Sequence, residues 1–281
     1  MRTLPTLILE PLVRSALQED LGRAGDLTTD AIVPADQRGT VRLVAREAGV
    51  VSGSACADLA WRLVDPRIEV HLEVPDGARV AAGEVIGSAV GPVRGLLTGE
   101  RVALNFLGHL SGVATGTASI ADAIAHTSAQ VVDTRKTIPG LRALQKYAVV
   151  CGGGGNHRFG LDDAVLIKDN HVAAAGGIAQ AVARAREHVG HLVKIEVEVD
   201  RLDQLGELLE LGVDAVLLDN MTPETLQEAV ALVGGSMATE ASGRITPTTA
   251  VPIAEAGVDL ISVGWLTHSA QVLDIGLDWG G

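Results

Sequence analysis

The sequence predicts an α/β protein in two parts, a mixed α/β region at the amino end followed by a parallel α/β barrel. Three observations support this fold class. The chain has 281 residues and is 47% apolar, which is enough to bury a large core. Short alternating strand patterns mark the first third. Beyond residue 107, apolar strand-like runs alternate with helical segments in six successive units, which is typical of a parallel sheet that closes into a barrel.

The first third contains one helix, a polar loop and three strand patterns. Apolar residues at helical spacing predict a helix over residues 10–21, and in the loop at 26–30 Asp26 has the chemistry of a helix cap rather than of a catalytic group. Alternation predicts strands at 41–45, 68–74 and 84–90. A long helical stretch then runs from Pro92 toward Ile124. We place a domain boundary inside it, so residues 1–107 form the first domain and 108–266 the second.

The second region repeats a strand and a helix. Its apolar runs end at residues 133–134, 167–168, 198–199, 218–219, 240–241 and 263–264, and the helical segments between them span 140–150, 178–188, 202–211, 223–233 and 248–256. In a parallel barrel the chemistry lies at the carboxyl ends of the strands. We therefore examine the polar residues at those ends.

The charge balance excludes one class of partner. A formal net charge of −13 and an aromatic content of 2% leave the chain without the basic field and the stacking side chains that nucleic-acid binding needs. Two cysteines, Cys56 and Cys151, make no disulfide framework and suit a reducing compartment. We expect no signal peptide, because Pro5 and Glu10 interrupt the first apolar run, and no membrane span. The expected location is cytoplasmic.

Side-chain alternation identifies charged groups inside the barrel. Lys194, Glu196 and Glu198 share one parity of a strand, and the apolar residues between them share the other. Since the apolar set faces the helices, the charged set faces the interior. For Lys194 and Glu196 we favour an internal ion pair, whereas Glu198 is nearer the mouth of the barrel.

Cations are concentrated between residues 135 and 168. Six cations stand there against two carboxylates, although the whole chain is acidic. A run of glycines at 152–155 precedes Asn156-His157-Arg158 and matches no phosphate-binding motif, so alone it is weak evidence. Together with the cations on both sides, it favours a site for an anionic ligand. Cys151, beside that run, has the setting of a buried thiol. His157 adds a titratable donor, and the remaining histidines form no transition-metal pattern.

Two carboxylates, Glu198 and Asp219, end neighbouring strands. Such a pair suits Mg²⁺ held partly through water and a ligand phosphate. A general acid and base pair is a second use. An ion pair with Lys168 is the third reading.

Several ordered blocks of the sequence resemble the quinolinate phosphoribosyltransferase family. They are the segments 100–107, 133–142, 146–149, 153–158, 166–171, 195–198, 218–220, 241–243, 263–264 and 266–269. The resemblance covers nearly the whole chain. It implies an α/β protein with an amino-terminal α/β open-faced sandwich domain and an incomplete α/β barrel of about seven strands or fewer, with the carboxyl tail 267–281 returning to the first domain.

The resemblance also implies an activity and partners. The enzyme would be a glycosyltransferase that joins quinolinate to phosphoribosyl pyrophosphate, giving nicotinate mononucleotide, pyrophosphate and CO₂ in NAD biosynthesis. The implied cofactor is Mg²⁺ at Glu198 and Asp219, with no organic cofactor. The implied assembly is a homodimer, open to higher association, in which Arg101 reaches the partner's site.

Site residues follow from the same matches. The catalytic set would be Lys136, Lys168, Glu198 and Asp219. Substrate contacts would come from a wider set that surrounds the dicarboxylate, the ribose with its pyrophosphate, and the 5′-phosphate: Arg101, Thr134, Arg135, Lys136, His157, Arg158, Lys168, Glu198, Asp219, Ser242, Gly243, Arg244, Gly264, Trp265 and Leu266.

Three residues depart from the family pattern. Gln145 replaces a usual Glu, Arg244 a small or amide residue, and Trp265 a small one. The last two flank the expected 5′-phosphate loop, so our hypothesis gives Arg244 a charge-assisted phosphate contact. These changes also leave room for another heterocyclic acid as the substrate.

Two other function classes remain at this point. A lyase or aldolase could form a Schiff base through Lys168, although the surplus of arginines and the Glu198/Asp219 pair would then have no role. A non-catalytic nucleotide sensor is the third class, and the full set of cations and carboxylates argues against it.

Overall fold

The computed structural model describes residues 4–280. Residues 1–3 and residue 281 lie outside the described residues. Parts of the signal-peptide expectation and of the expected domain ranges fall on them. The chain divides into two compact units. The first comprises Met1–Ala118, Thr137–Gly153 and Leu266–Gly281, and the second comprises Ser119–Lys136 and Gly154–Trp265. Between residues 4 and 280, no helix combines the length and the apolar composition that crossing a bilayer requires.

The first unit is built on a four-stranded antiparallel sheet. Its strands, in spatial order, are β12 (Ile275–Trp279), β1 (Arg38–Ala45), β5 (Val85–Pro92) and β3 (Glu69–Leu72), and a separate pair joins β2 (Gly49–Val50) to β4 (Arg79–Val80). The helices of this part of the chain are α1 (Thr6–Leu21), α2 (Leu27–Ile32), α3 (Ser54–Val64), α4 (Val93–Ala123), α5 (Arg142–Cys151) and α11 (Trp265–His268).

The predicted helices and strands of the first third are present, with four additions: the helices α2 and α3 and the short strands β2 and β4. The structure has α2 where a loop was expected, because Asp26 caps it by accepting a hydrogen bond from the Thr29 N–H at 2.9 Å. It also has α3, which sequence reasoning missed. Glycine and small residues at its start, Gly53-Ser54-Ala55, obscure the apolar period that ends in Trp61.

One buried cluster explains how the first unit is assembled from three segments. It joins Trp61 of α3 with Leu110 and Val113 of α4, Leu144 of α5 and Ile275 of β12. The unit therefore continues past residue 107, and residues 137–153, which we had assigned to the barrel, pack with it. Both differences from the expected domain ranges have the same cause, since apolar residues of α4 and α5 complete this core.

The second unit is a six-stranded parallel sheet with helices between its strands. In spatial order the strands are β6 (Gln130–Val132), β11 (Leu260–Ser262), β10 (Ala238–Ser242), β9 (Ala215–Asp219), β8 (Ile195–Val199) and β7 (Val165–Ile167). The connecting elements are α6 (Asp169–Ala175), α7 (Ile178–His188), the 3₁₀ turn Leu202–Gln204, α8 (Leu205–Leu211), α9 (Pro223–Val233) and α10 (Pro247–Glu255).

The sheet of the second unit is open between β6 and β7, its two edge strands. Across this opening, Gly155 forms an isolated parallel bridge with Val132, its N–H donating to the Val131 carbonyl at 2.8 Å. The expected incomplete α/β barrel is thereby confirmed. The glycine run brings the backbone of residues 154–158 alongside β6, where a paired strand would otherwise lie.

Strand β8 shows the expected alternation with one correction. Ile195, Val197 and Val199 are buried, and Glu196 and Glu198 are half-buried on the other face. The predicted ion pair between Lys194 and Glu196 is wrong. Lys194 precedes the first residue of the strand, its side chain is 77% exposed, and it pairs with Asp214 instead.

Candidate active site

A cavity of about 620 Å³ lies at the carboxyl ends of the parallel strands, within the size range of small-molecule sites. Its walls come from residues within or just after the parallel strands and from the segment between α5 and β7. The residues that line it are Thr134, Arg135, Lys136, His157, Arg158, Leu166, Lys168, Glu198, Leu217, Asp219, Asn220, Glu240, Ser242, Gly243, Arg244 and Ser262.

Most of the site residues predicted from sequence line this one cavity, and four do not. Arg101 lies exposed on α4, in the first unit. Gly264, Trp265 and Leu266 are absent from the lining. The indole N–H of Trp265 donates to the Ile245 carbonyl at 2.8 Å, and Leu266 is fully buried. The predicted phosphate contacts of these three residues therefore have no counterpart in the lining of the cavity.

An ion pair crosses the mouth of the cavity. Lys168 Nζ lies 3.0 Å from Glu198 Oε2. Lys168 directly follows β7 and is the N-cap residue of α6, so the strand end and the helix start together fix its position. The reading of Glu198 as an ion-pair partner of Lys168 thus holds in the structure, although both groups also face the cavity.

Hydrogen bonds and a close backbone approach hold Asp219 and the turn after β10 together. Asp219 Oδ2 accepts from the Asn220 amide at 2.6 Å, and Asn220 has a φ of 54°. The Asn220 N–H donates to the Ser242 carbonyl at 2.9 Å. Gly243 has a φ of 108°, and a Cβ there would lie 2.2 Å from Asn220 Oδ1. Only glycine fits this close approach.

Arg244 is the next residue of this turn, and its backbone has a left-handed conformation. Its φ of 53° is unusual for a residue with a side chain and costs about 1 kcal/mol. The indole of Trp265 holds the next residue, Ile245, through its carbonyl, and Ile245 is itself buried. Backbone strain of this kind concentrates at functional sites. Its effect here is to place an exposed guanidinium at the cavity wall.

Beneath the cations is a layer of buried carboxylates. Asp133 is fully buried and accepts from the Asn156 amide at 2.7 Å and from the His157 N–H at 2.9 Å. The imidazole Nε2 of His157 lies 2.9 Å from Glu196 Oε2 and 3.6 Å from Glu240 Oε2. Glu240 Oε1 is buried and has no hydrogen-bond partner among the described residues. Such an atom costs about 1–3 kcal/mol.

Burial alters the ionisation of two of these groups. Burial, reinforced by the charge of Glu196, raises the pKa of Glu240 to about 7. Burial also lowers the pKa of Arg158, and the nearby charge of Arg135 acts in the same direction. Cationic walls over a buried carboxylate layer suit an anionic ligand that brings its own negative charge to Arg135 and Arg158.

The donor set of the cavity fits a hard divalent cation at one place. Glu198 and Asp219 end adjacent strands, are partly exposed and offer oxygen atoms, the ligand type that Mg²⁺ prefers. The thiols have no such role. Cys56 and Cys151 are both buried, and burial raises the pKa of Cys56 to about 12, in keeping with the expected inert thiols.

The sequence marks Glu240 and Asn220 as polar residues at strand ends, although the predicted set of site residues contains neither; it missed Ser262 and two leucines of the lining. The parity argument used for Glu196 and Glu198 would have found Glu240. Ala238, Glu240 and Ser242 share one face of β10, and Ser242 was already assigned to the site. The position of Asn220 at a strand end marked it as a candidate, but its close approach to Gly243 depends on the turn that follows β10 and is not visible in the sequence.

Comparison with known proteins gives matches over both parts of the chain. The model of the quinolinate phosphoribosyl transferase C-terminal domain matches residues 113–278, and that of the N-terminal domain matches residues 26–111.

Curated relatives and solved structures agree with these matches. The chain is 45% identical to the nicotinate-nucleotide pyrophosphorylase [carboxylating] of Mycobacterium leprae, over 95% of each chain. It is 40% identical to a mitochondrial quinolinate phosphoribosyltransferase [decarboxylating] of Nicotiana glauca, over 97% of this chain and 82% of the relative. The nicotinate-nucleotide pyrophosphorylase structure from Francisella tularensis superposes with a TM-score of 0.95, at 40% identity over 99% of this chain and 98% of that one.

Proposed function

The chain belongs to the quinolinate phosphoribosyltransferase family, and from that premise we propose that its cavity joins quinolinate to phosphoribosyl pyrophosphate with loss of CO₂. The products are nicotinate mononucleotide and pyrophosphate, and the process is NAD biosynthesis. The observation that carries this proposal is the shared cavity. Arg135, Lys136, Arg158 and Lys168 line the same space as Glu198 and Asp219.

The cations of the cavity bind the dicarboxylate. Quinolinate is a planar dianion, and a guanidinium fork binds a carboxylate through two parallel N–H donors. Arg135 and Arg158 supply such forks, and Lys136 adds a point charge beside them. Because burial and mutual repulsion disfavour the charge of Arg158 in the free protein, a bound carboxylate relieves that cost.

The opposite wall binds the phosphoribosyl group. Ser242, Gly243 and Arg244 form a turn. Because Gly243 carries no Cβ, its backbone can lie close to the Asn220 side chain. Backbone N–H groups in such turns bind phosphate oxygens, and Arg244 adds a charged donor. Lys136 and Lys168 neutralise pyrophosphate oxygens. Glu198 and Asp219 would hold Mg²⁺, which supplies charge neutralisation of the departing pyrophosphate.

The reaction needs orientation and electrostatics rather than a protein nucleophile. The C1–O bond of the ribose breaks, its electron pair leaves with pyrophosphate, and the pyridine nitrogen forms the new bond to C1. Carboxylates near the ribose stabilise the positive charge that develops on it. The ribosylated ring then accepts the electron pair released as the adjacent carboxylate leaves as CO₂, and a proton takes its place on the ring. Lys168 acts as an ion-paired cation in this scheme.

We further propose that the enzyme is a homodimer in which Arg101 serves the site of the other copy. Support comes from the exposure of Arg101 on α4 and from a cavity of about 570 Å³ beside it in the first unit. The proposal leaves open whether dimers associate further. The proposed location is cytoplasmic, which suits two buried cysteines that form no disulfide.

One experiment tests the proposed function. The purified protein is given quinolinate, phosphoribosyl pyrophosphate and Mg²⁺, and the release of pyrophosphate and of CO₂ is measured. We expect equal amounts of both products, and loss of both on chelation of Mg²⁺. Equal activity with nicotinate, or pyrophosphate release without CO₂, contradicts the carboxylating assignment. Glu198→Gln and Asp219→Asn should raise the Mg²⁺ concentration needed for half-maximal rate.

A further inference from the structure

The histidine at the cavity wall is held by groups that the proposed reaction does not use. His157 Nε2 faces two carboxylates that come from different strands, Glu196 of β8 at 2.9 Å and Glu240 of β10 at 3.6 Å. On the other side of the ring, the Arg158 N–H donates to Nδ1 at 2.7 Å. Both ring nitrogens are therefore engaged by the protein.

These contacts assign the proton on the imidazole. Because Nδ1 accepts from the Arg158 amide, it carries no proton, and Nε2 must be the N–H that faces the carboxylates. The three side chains together have the composition of a metal site. A metal would need the lone pair of Nε2, which holds the proton in this arrangement. The geometry is therefore that of a hydrogen bond between His157 and Glu196, with the Glu240 carboxylate as a second anion 3.6 Å from the same nitrogen.

The position of Glu240 in its strand gives no reason for a carboxylate there. Its side chain is 1% exposed, it occupies the centre of β10, and its Oε1 atom has no partner among residues 4–280. An alanine or a leucine at that strand position would leave no polar atom unsatisfied. A buried carboxylate with an unsatisfied oxygen points to a task at the cavity, whose wall it reaches beside His157.

We propose that Glu240 is a positioning residue that, with Glu196, fixes the ring of His157 and through it the backbone of Arg158. The chain of contacts runs from Glu240 to His157 Nε2, and from His157 Nδ1 to the Arg158 N–H. Arg158 in turn donates from Nη1 to the Ala164 carbonyl at 3.1 Å. This network sets the guanidinium at the dicarboxylate end of the cavity.

The proposal rests on the proposed function for the identity of the ligand, and it predicts a selective effect. Glu240 contacts the ring of His157, which accepts from the Arg158 N–H, whereas Asp219 and Gly243 lie against Asn220. Disturbing it should weaken the binding of quinolinate and leave phosphoribosyl pyrophosphate unaffected. A side chain that merely stabilised the fold would alter both KM values together.

The test is Glu240→Gln, with Glu255→Gln as the matched control. Glu255 also pairs with a histidine, His126 at 3.1 Å, but both of these side chains are exposed and belong to segments that precede β6 and β11, whereas the cavity lies at the carboxyl ends of the strands. We expect Glu240→Gln to raise the KM for quinolinate about tenfold, a typical cost of slight misplacement. The KM for phosphoribosyl pyrophosphate should stay within about twofold, and Glu240→Asp should recover part of the loss.

A second readout requires no substrate. In ligand-free protein labelled with ¹⁵N-histidine, the ring signals assigned to His157 should show a proton on Nε2. The Nε2 signal should move in Glu240→Gln, because one of the two carboxylates facing Nε2 becomes an uncharged amide, and should not move in Glu255→Gln. If Glu240→Gln fails to fold, Glu196→Gln, which removes the nearer acceptor, is expected to give the same shift.

Two results overturn the proposal: unchanged His157 signals, or a folded Glu240→Gln whose KM values for the two substrates are unchanged or rise equally. Wild-type protein that converts no quinolinate refutes the proposed function instead. In that case the ligand-free signals still decide whether Glu240 positions His157.

Discussion

The ammonium of Lys168 and the carboxylate of Glu198 lie 3.0 Å apart at the ends of adjacent parallel strands. The pair therefore places a cation and an anion at neighbouring points of the cavity wall before any ligand binds. A pyrophosphate or carboxylate oxygen that approaches Lys168 competes with Glu198. A divalent cation bound by Glu198 would release Lys168 for the ligand, so the two halves of the site are coupled.

Removing the Lys168 cation should reduce turnover strongly. For Lys168→Met we expect kcat/KM to fall by about 10²- to 10³-fold, the usual effect of deleting a group that stabilises developing charge. Lys168→Arg should recover little, since a planar fork does not replace a compact ammonium. Steady-state kinetics measures both. Trapping of a carbonyl substrate on Lys168 by borohydride would instead favour Schiff-base chemistry.

Arg244 combines a cation with a strained backbone, and two substitutions separate them. Arg244→Ala removes the charge and keeps the left-handed φ of 53°. Arg244→Gly removes both. We expect either change to raise the Kd for phosphoribosyl pyrophosphate by about three- to tenfold. Only Arg244→Gly should also raise the free energy of unfolding, by about 1 kcal/mol. An unchanged Kd in both variants would show that Arg244 does not contact the ligand.

The Gly243 turn should tolerate no side chain. Gly243→Ala places a Cβ 2.2 Å from Asn220 Oδ1 and forces a residue with a side chain to a φ of 108°. We expect a loss of about 2 kcal/mol or more in the free energy of unfolding, together with weaker binding of phosphoribosyl pyrophosphate. Gly235→Ala is the control, because Gly235 also has a positive φ but nothing lies within 4 Å. Equal effects in urea denaturation would exclude the contact with Asn220 as the cause.

The pKa of Glu240 predicts a pH dependence of stability. Burial raises that pKa from 4.5 to about 7 in the folded protein. Between these values the unfolded chain ionises while the folded protein keeps its proton, so this group's stabilising contribution is lost as pH rises through the window. Glu240→Gln cannot ionise. Its free energy of unfolding relative to wild type should be lowest near pH 4.5 and rise by roughly 2 kcal/mol by pH 8.

Urea denaturation at several pH values measures this difference. The exposed Glu255→Gln variant provides the baseline, and its difference from wild type should be nearly flat over the same range. A flat curve for Glu240→Gln would mean that the buried carboxyl ionises normally in the folded state.

The barrel and most of its cavity were predictable because strand ends are marked in the sequence. Apolar runs end at Ile167, Val199 and Asp219, and in a parallel sheet such ends must meet at one edge. Alternation also identified Glu196 and Glu198 correctly. It failed for Lys194, because the parity of a strand does not tell where the strand begins.

The domain assignment was harder for a physical reason. Helix α5 follows a strand of the barrel in sequence, as a barrel helix would, yet Leu144 and Val149 belong to the core of the first unit. Periodicity shows that a helix has an apolar face and does not show which core buries it. Contacts such as that of Asn220 with Gly243 depend on turn conformations that no periodic pattern encodes.

Because the sheet is open between β6 and β7, part of the site can be replaced without altering the paired strands. Residues 133–136 and 154–158 supply Arg135, Lys136, His157 and Arg158, and apart from the single Gly155 bridge they lie outside the ladder of paired strands. The carboxylates Glu198 and Asp219, by contrast, are fixed within it. Engineering toward other heterocyclic acids can therefore exchange these two segments, provided that Lys136, which also serves the pyrophosphate, is kept.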